Sequence, residues 1–138
     1  MTLCISVGNP LRGDDGVAHR VLELLEPTPG FRFLRCHQLT PELSESIAGA
    51  KRVLFIDASL EPGPVRMERI DARLHSGTPL GHAMTANEVV ALAVRLFGFR
   101  GEAFLCHVPA ADFDGGEKLS AEAENNAHRA REIIEALG

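Results

Sequence analysis

The sequence has no tryptophan and no tyrosine among its 138 residues, and aromatic residues make up only 5% of it. Few rings are therefore available to stack on a flavin or a nucleobase, which disfavours a flavodoxin-like nucleotide-binding protein. A basic surplus is also lacking, since 14 Lys and Arg stand against 19 Asp and Glu, for a formal net charge of −5. The basic residues are scattered along the chain, so we expect no nucleic-acid partner and no binding to an anionic membrane.

Cysteines are few, and no apolar run is long enough to cross a membrane. Cys4, Cys36 and Cys106 are widely spaced, so we expect free, mostly buried thiols, as in a reducing compartment. Residues 1–7 lack a basic start and reach a turn after too few apolar residues for a signal peptide. These features predict a cytoplasmic protein, which we also expect to be a monomer.

The length and the 45% apolar content indicate a single domain over residues 1–138. Apolar runs predict strands, and apolar residues at helical spacing predict helices. The predicted strands span residues 3–7, 31–36, 52–56, 65–70 and 103–108. The predicted caps of the four helices, in chain order, are Asp14 or Asp15, Thr40, Thr85 and Ser120. The order β-α-β-α-β-β-α-β-α predicts an α/β fold, a three-layer αβα sandwich around a twisted, mostly parallel five-stranded sheet.

The loop over residues 8–16 joins the first strand to the first helix, where α/β folds place their ligand-binding loops. Gly8 and Gly13 are spaced as in a phosphate-binding loop, but Asp14 and Asp15 stand where that motif has lysine and serine or threonine. Two carboxylates at a helix N-terminus repel a phosphate, which argues against nucleotide binding. They can cap the helix or offer oxygen ligands to a cation, and both interpretations stay open.

Asp57 and His82 are the other candidate ligands. Asp57 ends the predicted central strand, so it reaches the sheet edge from which the loop emerges if the first and third strands are neighbours. His82 lies on a loop just before the third helix. Taken singly, Asp57 is equally typical of a turn cap and His82 of a solvated residue. Together with Asp15 they form an incomplete nitrogen and oxygen donor set, which suits nickel or zinc better than calcium.

The loop, the strand end and the helix after His82 resemble those of the hydrogenase maturation proteases, the endopeptidases that trim the C-terminus of nickel-iron hydrogenase large subunits. The resemblance covers nearly the whole chain. The matching segments are Gly-Asn-Pro-Leu-Arg-Gly-Asp-Asp-Gly at 8–16, Phe-Ile-Asp-Ala at 55–58, Glu-Val-Val-Ala-Leu at 88–92, and Val108-Pro109, Gly116 and Leu119-Ser120. His-Gln-Leu-Thr-Pro-Glu at 37–42 replaces the family's glycine-rich stretch, so the cognate large subunit is not predicted.

The resemblance implies a site and a substrate. It assigns the metal ligands to Asp15, Asp57 and His82. The catalytic carboxylates we predict are Asp15, Asp57 and Asp14. The metal it implies is nickel, supplied by the substrate, a hydrogenase large-subunit precursor; zinc or cadmium could substitute in vitro. Cleavage would follow nickel insertion and release a short C-terminal peptide.

We expect the cation to polarise the scissile carbonyl or to lower the pKa of an attacking water. Asp14 would orient that water, or only cap the helix. The sequence contains no His-Glu-x-x-His motif, no Gly-x-Ser-x-Gly motif and no evident nucleophile. A non-proteolytic nickel-binding chaperone or assembly factor would use the same ligands and stays open as the alternative.

The remaining acids and histidines are secondary candidates. His19 with Glu23, and His128 with Glu132, have the spacing of surface pairs on helices. Residues 112–115 are read as a turn. The residues considered as supplements to the metal site are His75, His107 and Glu61.

Overall fold

The computed structural model describes residues 1–9, 13–71, 84–110 and 118–137. A short 3-10 turn, Gly13–Gly16, precedes the first α-helix. The elements in chain order are β1 (Thr2–Val7), α1 (Val17–Leu25), β2 (Phe31–Cys36), α2 (Leu43–Ile47), β3 (Arg52–Ser59), β4 (Arg66–Arg69), α3 (Ala86–Phe97), β5 (Glu102–Pro109) and α4 (Ala121–Leu137).

The five strands form one sheet in the order β2-β1-β3-β5-β4. All pairings are parallel except that of β4, which lies antiparallel to β5 at the edge. The predicted neighbours β1 and β3 are indeed adjacent, with Val7 in register with Asp57. The sequence around the fourth predicted strand, which alternates and follows Pro62-Gly63-Pro64, is typical of an edge strand, and β4 does lie at the edge. The parallel strands bring their carboxyl ends to one side of the sheet.

Helices cover both faces of the sheet, as the three-layer prediction requires. Alternate residues of each strand point to opposite faces, so Leu54 and Ile56 pack toward α1 and α4, while Val53 and Phe55 pack toward α2 and α3. The buried residues of the last helix form one stripe along it: Ala123, Ala127, Ala130 and Ile134. Over the described part of the chain, no helix combines the length and the apolar character that crossing a bilayer requires.

The capping box predicted for the third helix is present. Thr85 accepts a hydrogen bond from the backbone N–H of Glu88, whose side chain accepts one from the N–H of Thr85. The helix stops before Gly98, whose φ of +70° lies in the left-handed region that glycine adopts without strain.

Two predicted caps are wrong. The N-cap of α1 is Gly16, without a side-chain hydrogen bond, because the 3-10 turn places Asp14 and Asp15 before the helix begins. The second helix begins after Glu42 and not at Thr40, because a turn separates them. The third strand also extends past residue 56, so Asp57 lies within β3 near its end and not after it.

Candidate active site

Gly8 allows the loop after β1 to close tightly. A Cβ built on Gly8 would lie 2.0 Å from the carbonyl oxygen of Asp15, a separation that no side chain tolerates. The N–H of Gly8 donates a 3.0 Å hydrogen bond to the carbonyl oxygen of Cys36 at the end of β2. The first glycine of the loop is therefore required by close approach of the backbone, not by a phosphate.

The Asp15 side chain is oriented by the same turn. Its Oδ2 accepts a 2.8 Å hydrogen bond from the backbone N–H of Asn9. The side chain is only half-buried, so the carboxylate is accessible at the sheet edge. An oriented, accessible carboxylate suits the predicted role of Asp15 as a cation ligand.

His19 forms buried hydrogen bonds to Ser6 in β1 and to Gly8 at the start of the loop. Its Nε2 donates a 2.7 Å hydrogen bond to the carbonyl oxygen of Gly8, and its Nδ1 lies 2.7 Å from the hydroxyl of Ser6. Because a carbonyl only accepts, the neutral ring carries its proton on Nε2, and Ser6 donates to Nδ1. Both side chains are buried. The predicted surface pair of His19 with Glu23 is wrong, since Glu23 pairs with Arg20.

The second predicted surface pair also differs in its partner. His128 lies 3.3 Å from Glu124, one turn earlier in α4, while Glu132 pairs with Arg129. Both contacts are on the exposed side of the helix.

Asp14 is turned away from Asp15 and into the protein, and its side chain is fully buried. Its Oδ1 accepts a 2.7 Å hydrogen bond from the backbone N–H of Ser120, and its Oδ2 accepts one of the same length from the Ser120 hydroxyl. That hydroxyl oxygen in turn accepts a 3.1 Å bond from the N–H of Ala123, as predicted for a cap of α4.

Asp57 projects from β3 toward α2 and α3. Burial raises the pKa of its carboxyl group from 3.8 to about 6; the backbone N–H of Ala58 opposes this rise, the nearby Asp15 carboxylate adds to it, and His107 opposes it. The adjacency of β1 and β3, on which the predicted convergence of Asp15 and Asp57 depends, is present. The charge of Asp15 acts on Asp57 in the sense that two nearby carboxylates would produce.

His107, one of the residues considered as supplements to the metal site, is a neighbour of Asp57. It lies in register with Asp57 on β5 and on the same face of the sheet. Its Nε2 is 2.8 Å from a carboxylate oxygen of Glu68 on the edge strand β4. Glu61, the other acidic supplement considered, pairs with Arg66. His82, His75, Gly116 and the predicted turn at 112–115 lie outside the described residues.

A cavity of about 380 Å³ opens beside Asp57. Its walls are mainly apolar, with Phe55 and Leu105 from the sheet and Met84 from the start of α3. The segment that replaces the family's glycine-rich stretch contributes His37 and Leu39 among others. Larger cavities of about 470 and 660 Å³ are lined by residues other than Asp15 and Asp57.

The three cysteines are free, as expected. Burial raises the pKa of Cys4 to about 12, with a smaller contribution from Cys106, and burial raises that of Cys106 to about 12. Burial, and then the charge of Asp57, raise the pKa of Cys36. A raised pKa keeps a thiol protonated and a poor nucleophile, so none of the three resembles an activated cysteine.

The donor chemistry at the sheet edge fits a divalent cation in part. Asp15 and Asp57 supply two carboxylates whose mutual repulsion a cation would relieve. Among the residues that the structure describes, no group of three His, Cys, Asp or Glu side chains is arranged to hold a metal ion. The third predicted ligand, His82, is not among those residues.

No family model and no curated protein matches the sequence, but several solved structures share the fold. The NiFe hydrogenase maturation protease HybD from Thermococcus kodakarensis is 25% identical, with a TM-score of 0.74 over 99% of this chain and 97% of that one. HycI from the same organism, also a maturation protease, is 24% identical, with a TM-score of 0.71 over 99% and 90%. The hydrogenase maturating endopeptidase HybD from E. coli is 20% identical, with a TM-score of 0.76 over 99% and 90%. Each comparison spans the chain almost from end to end.

Proposed function

Because the chain resembles the hydrogenase maturation proteases in both its motifs and its fold, we propose that it is an endopeptidase acting on a nickel-iron hydrogenase large-subunit precursor. It removes the C-terminal extension of that precursor after nickel insertion. The observation that carries the proposal is the convergence of Asp15 and Asp57 at the carboxyl edge of the sheet. In an open α/β sheet this edge is where ligands bind.

Nickel is part of the substrate in this proposal, and Asp15, Asp57 and His82 recognise it there. Two carboxylates and one imidazole leave coordination positions for the ligands that the precursor already provides. Zinc or cadmium is expected to bind the same residues in vitro. A precursor without nickel lacks the positive charge that would bring Asp15 and Asp57 into a favourable arrangement, so it is not expected to dock productively.

The chemistry follows from the same charges. A divalent cation beside the scissile bond polarises its carbonyl group or lowers the pKa of a water that attacks it. Asp15 and Asp57 hold the cation in place. Asp14 lies in the same loop as Asp15, and its side chain contributes from a buried position.

The cavity beside Asp57 gives the substrate chain a place to bind. Its apolar walls suit an uncharged side chain of the C-terminal segment, and its position next to Asp57 places that segment near the proposed cation. The precursor is therefore expected to contact the 37–39 segment and the start of α3 during cleavage.

The proposal is tested by incubating the protein with a nickel-loaded large-subunit precursor and measuring the precursor's mass. The expected result is the loss of a short C-terminal peptide, with no loss from a nickel-free precursor. Asp15→Ala, Asp57→Ala and His82→Ala should each abolish processing, whereas His128→Ala, on the exposed side of α4, should not. A precursor that is bound but remains intact would instead support the nickel chaperone alternative.

A further inference from the structure

We propose that Asp14 and Ser120 form a clamp that positions the Asp15 carboxylate, and that Asp14 is a positioning residue and not one that contacts substrate. The inference rests on the proposed function only in taking Asp15 as a cation ligand. It concerns how the last helix controls the geometry of the first loop, which lies more than a hundred residues earlier in the chain.

The clamp is bidentate, with a fully buried carboxylate on Asp14 and a half-buried serine at position 120. Each carboxylate oxygen of Asp14 accepts a 2.7 Å hydrogen bond from Ser120, one from the backbone N–H and one from the hydroxyl. The Asp14 side chain has 0% exposure. A buried carboxylate is costly to leave without donors, so both bonds hold Asp14 strongly in one place.

The far end of the clamp is itself fixed. Ser120 caps α4 through the N–H of Ala123, so its hydroxyl cannot move without disturbing the first turn of the helix. One turn later, Glu124 accepts hydrogen bonds of 2.9 and 3.2 Å from Nε of Arg20 on α1. Helix α4 is therefore tied to the loop at Asp14 and to the helix that follows the loop at Arg20.

At its other end, the clamp holds Asp14, which is joined to Asp15 by one peptide bond. Asp14 and Asp15 are neighbours in the 3-10 turn Gly13–Gly16, so the bonds that hold Asp14 also restrain the backbone from which Asp15 projects. The Asp15 carboxylate itself accepts a 2.8 Å hydrogen bond from the N–H of Asn9. Residues that orient a metal ligand commonly change metal affinity or activity 10- to 100-fold when they are replaced, which is about the effect expected here.

A purely structural role would give a different result from a positioning role. If Asp14 and Ser120 only capped helix α4, their loss would lower stability and leave the loop around Asp15 unchanged. The N–H of Asn9 distinguishes the two, because it bonds directly to the Asp15 carboxylate and therefore reports on the geometry of that side chain.

The test compares Ser120→Ala, Ser120→Thr and Asp14→Asn with the native protein. Ala130→Gly serves as the control, since Ala130 is a buried residue of the same helix and its replacement weakens α4 without touching the clamp. Hydrogen exchange of the Asn9 amide is measured by NMR, and binding of nickel chloride alone by calorimetry. We expect Ser120→Ala and Asp14→Asn to speed exchange at Asn9 and to weaken nickel binding, each by about tenfold or more.

Ser120→Thr keeps the hydroxyl and should behave like the native protein. Ala130→Gly should lower the unfolding midpoint without changing exchange at Asn9. Equal exchange at Asn9 in the native protein, Ser120→Ala and Asp14→Asn would overturn the clamp, as would equal effects from Ala130→Gly. Should Ser120→Ala fail to fold, Asp14→Asn supplies the same comparison. Amide exchange at Asn9 and nickel binding are both measured without cleavage of a precursor. The test of the clamp is therefore independent of the proposed protease activity.

Discussion

Asp57 and His107 lie directly beside each other on the parallel strands β3 and β5. The imidazole lowers the pKa of Asp57, against the larger effect of burial that raises it to about 6. His107→Gln removes the positive charge and should raise the pKa of Asp57 further, as followed by carboxyl carbon shifts in an NMR titration.

Glu68→Gln is the matched comparison, because it removes the carboxylate that pairs with His107 but leaves the ring in place. Because the ring of His107 stays beside Asp57, this variant should change the pKa of Asp57 less than His107→Gln does. An Asp57 titration unaffected by His107→Gln would show that the two side chains do not interact.

Asp57 should make the cation-free protein less stable at neutral pH. Its pKa is about 6 in the folded state and 3.8 as the ordinary value, so the folded protein binds the proton more tightly. The stabilising contribution of the neutral carboxyl is complete below about pH 4 and is lost as the pH rises through about 6. Asp57→Asn should therefore be more stable than the native protein by about 2 kcal/mol at pH 8.

The measurement is urea unfolding of both proteins at pH 8 and below pH 4, with a chelator present. The difference should vanish in acid, because both side chains are then neutral. If Asp57→Asn were more stable than the native protein by the same amount at both pH values, the charge of Asp57 would not be the cause.

The buried hydrogen bonds of His19 should matter for stability as well as for the loop. His19→Leu keeps the volume but leaves the Gly8 carbonyl and the Ser6 hydroxyl without their partner. Each buried group left unpaired costs about 1–3 kcal/mol, so we expect a loss of that order in the free energy of unfolding. Ser6→Ala combined with His19→Leu should lose less than the sum of the two single changes, since it removes one of the stranded groups.

Gly8→Ala tests the close approach of the loop to its own carbonyl group. The added methyl would lie 2.0 Å from the Asp15 oxygen, so the loop must shift, at a cost of about 1–3 kcal/mol. We expect the Asn9 amide to lose its hydrogen bond and nickel binding to weaken, as seen by NMR and calorimetry. Gly49→Ala is the control, because a methyl there meets no atom within 4 Å. Similar results for the two variants would contradict the steric explanation.

The sheet and the helices could be predicted because their signals are local. The capping box of Thr85 and Glu88 lies within four residues, and the continuous apolar run before Asp57 is typical of a central parallel strand. Adjacency of β1 and β3 then brought Asp15 and Asp57 together, as expected. The resemblance to the maturation proteases rested on the same short motifs, and the solved structures confirmed it.

The interactions that support the loop could not be predicted, because their partners are distant in sequence. His19 has the spacing of a surface pair with Glu23, and nothing local indicates that Ser6 and Gly8 receive its ring instead. Asp14 likewise looked like a cap for the nearest helix but caps none, and binds a serine at the start of the farthest one. In both cases the observed partners come together only through tertiary packing, which local residue spacing does not indicate.

The contact between Asp14 and Ser120 also implies an order of events on the ribosome. The two residues are 106 positions apart, so the loop leaves the exit tunnel long before its anchor has been translated. A nascent chain that ends before α4 has the Asp14 carboxylate but not the serine that holds it. The two bonds that hold the Asp14 carboxylate can therefore form only after the start of α4 has been made, when almost the whole chain has been synthesised.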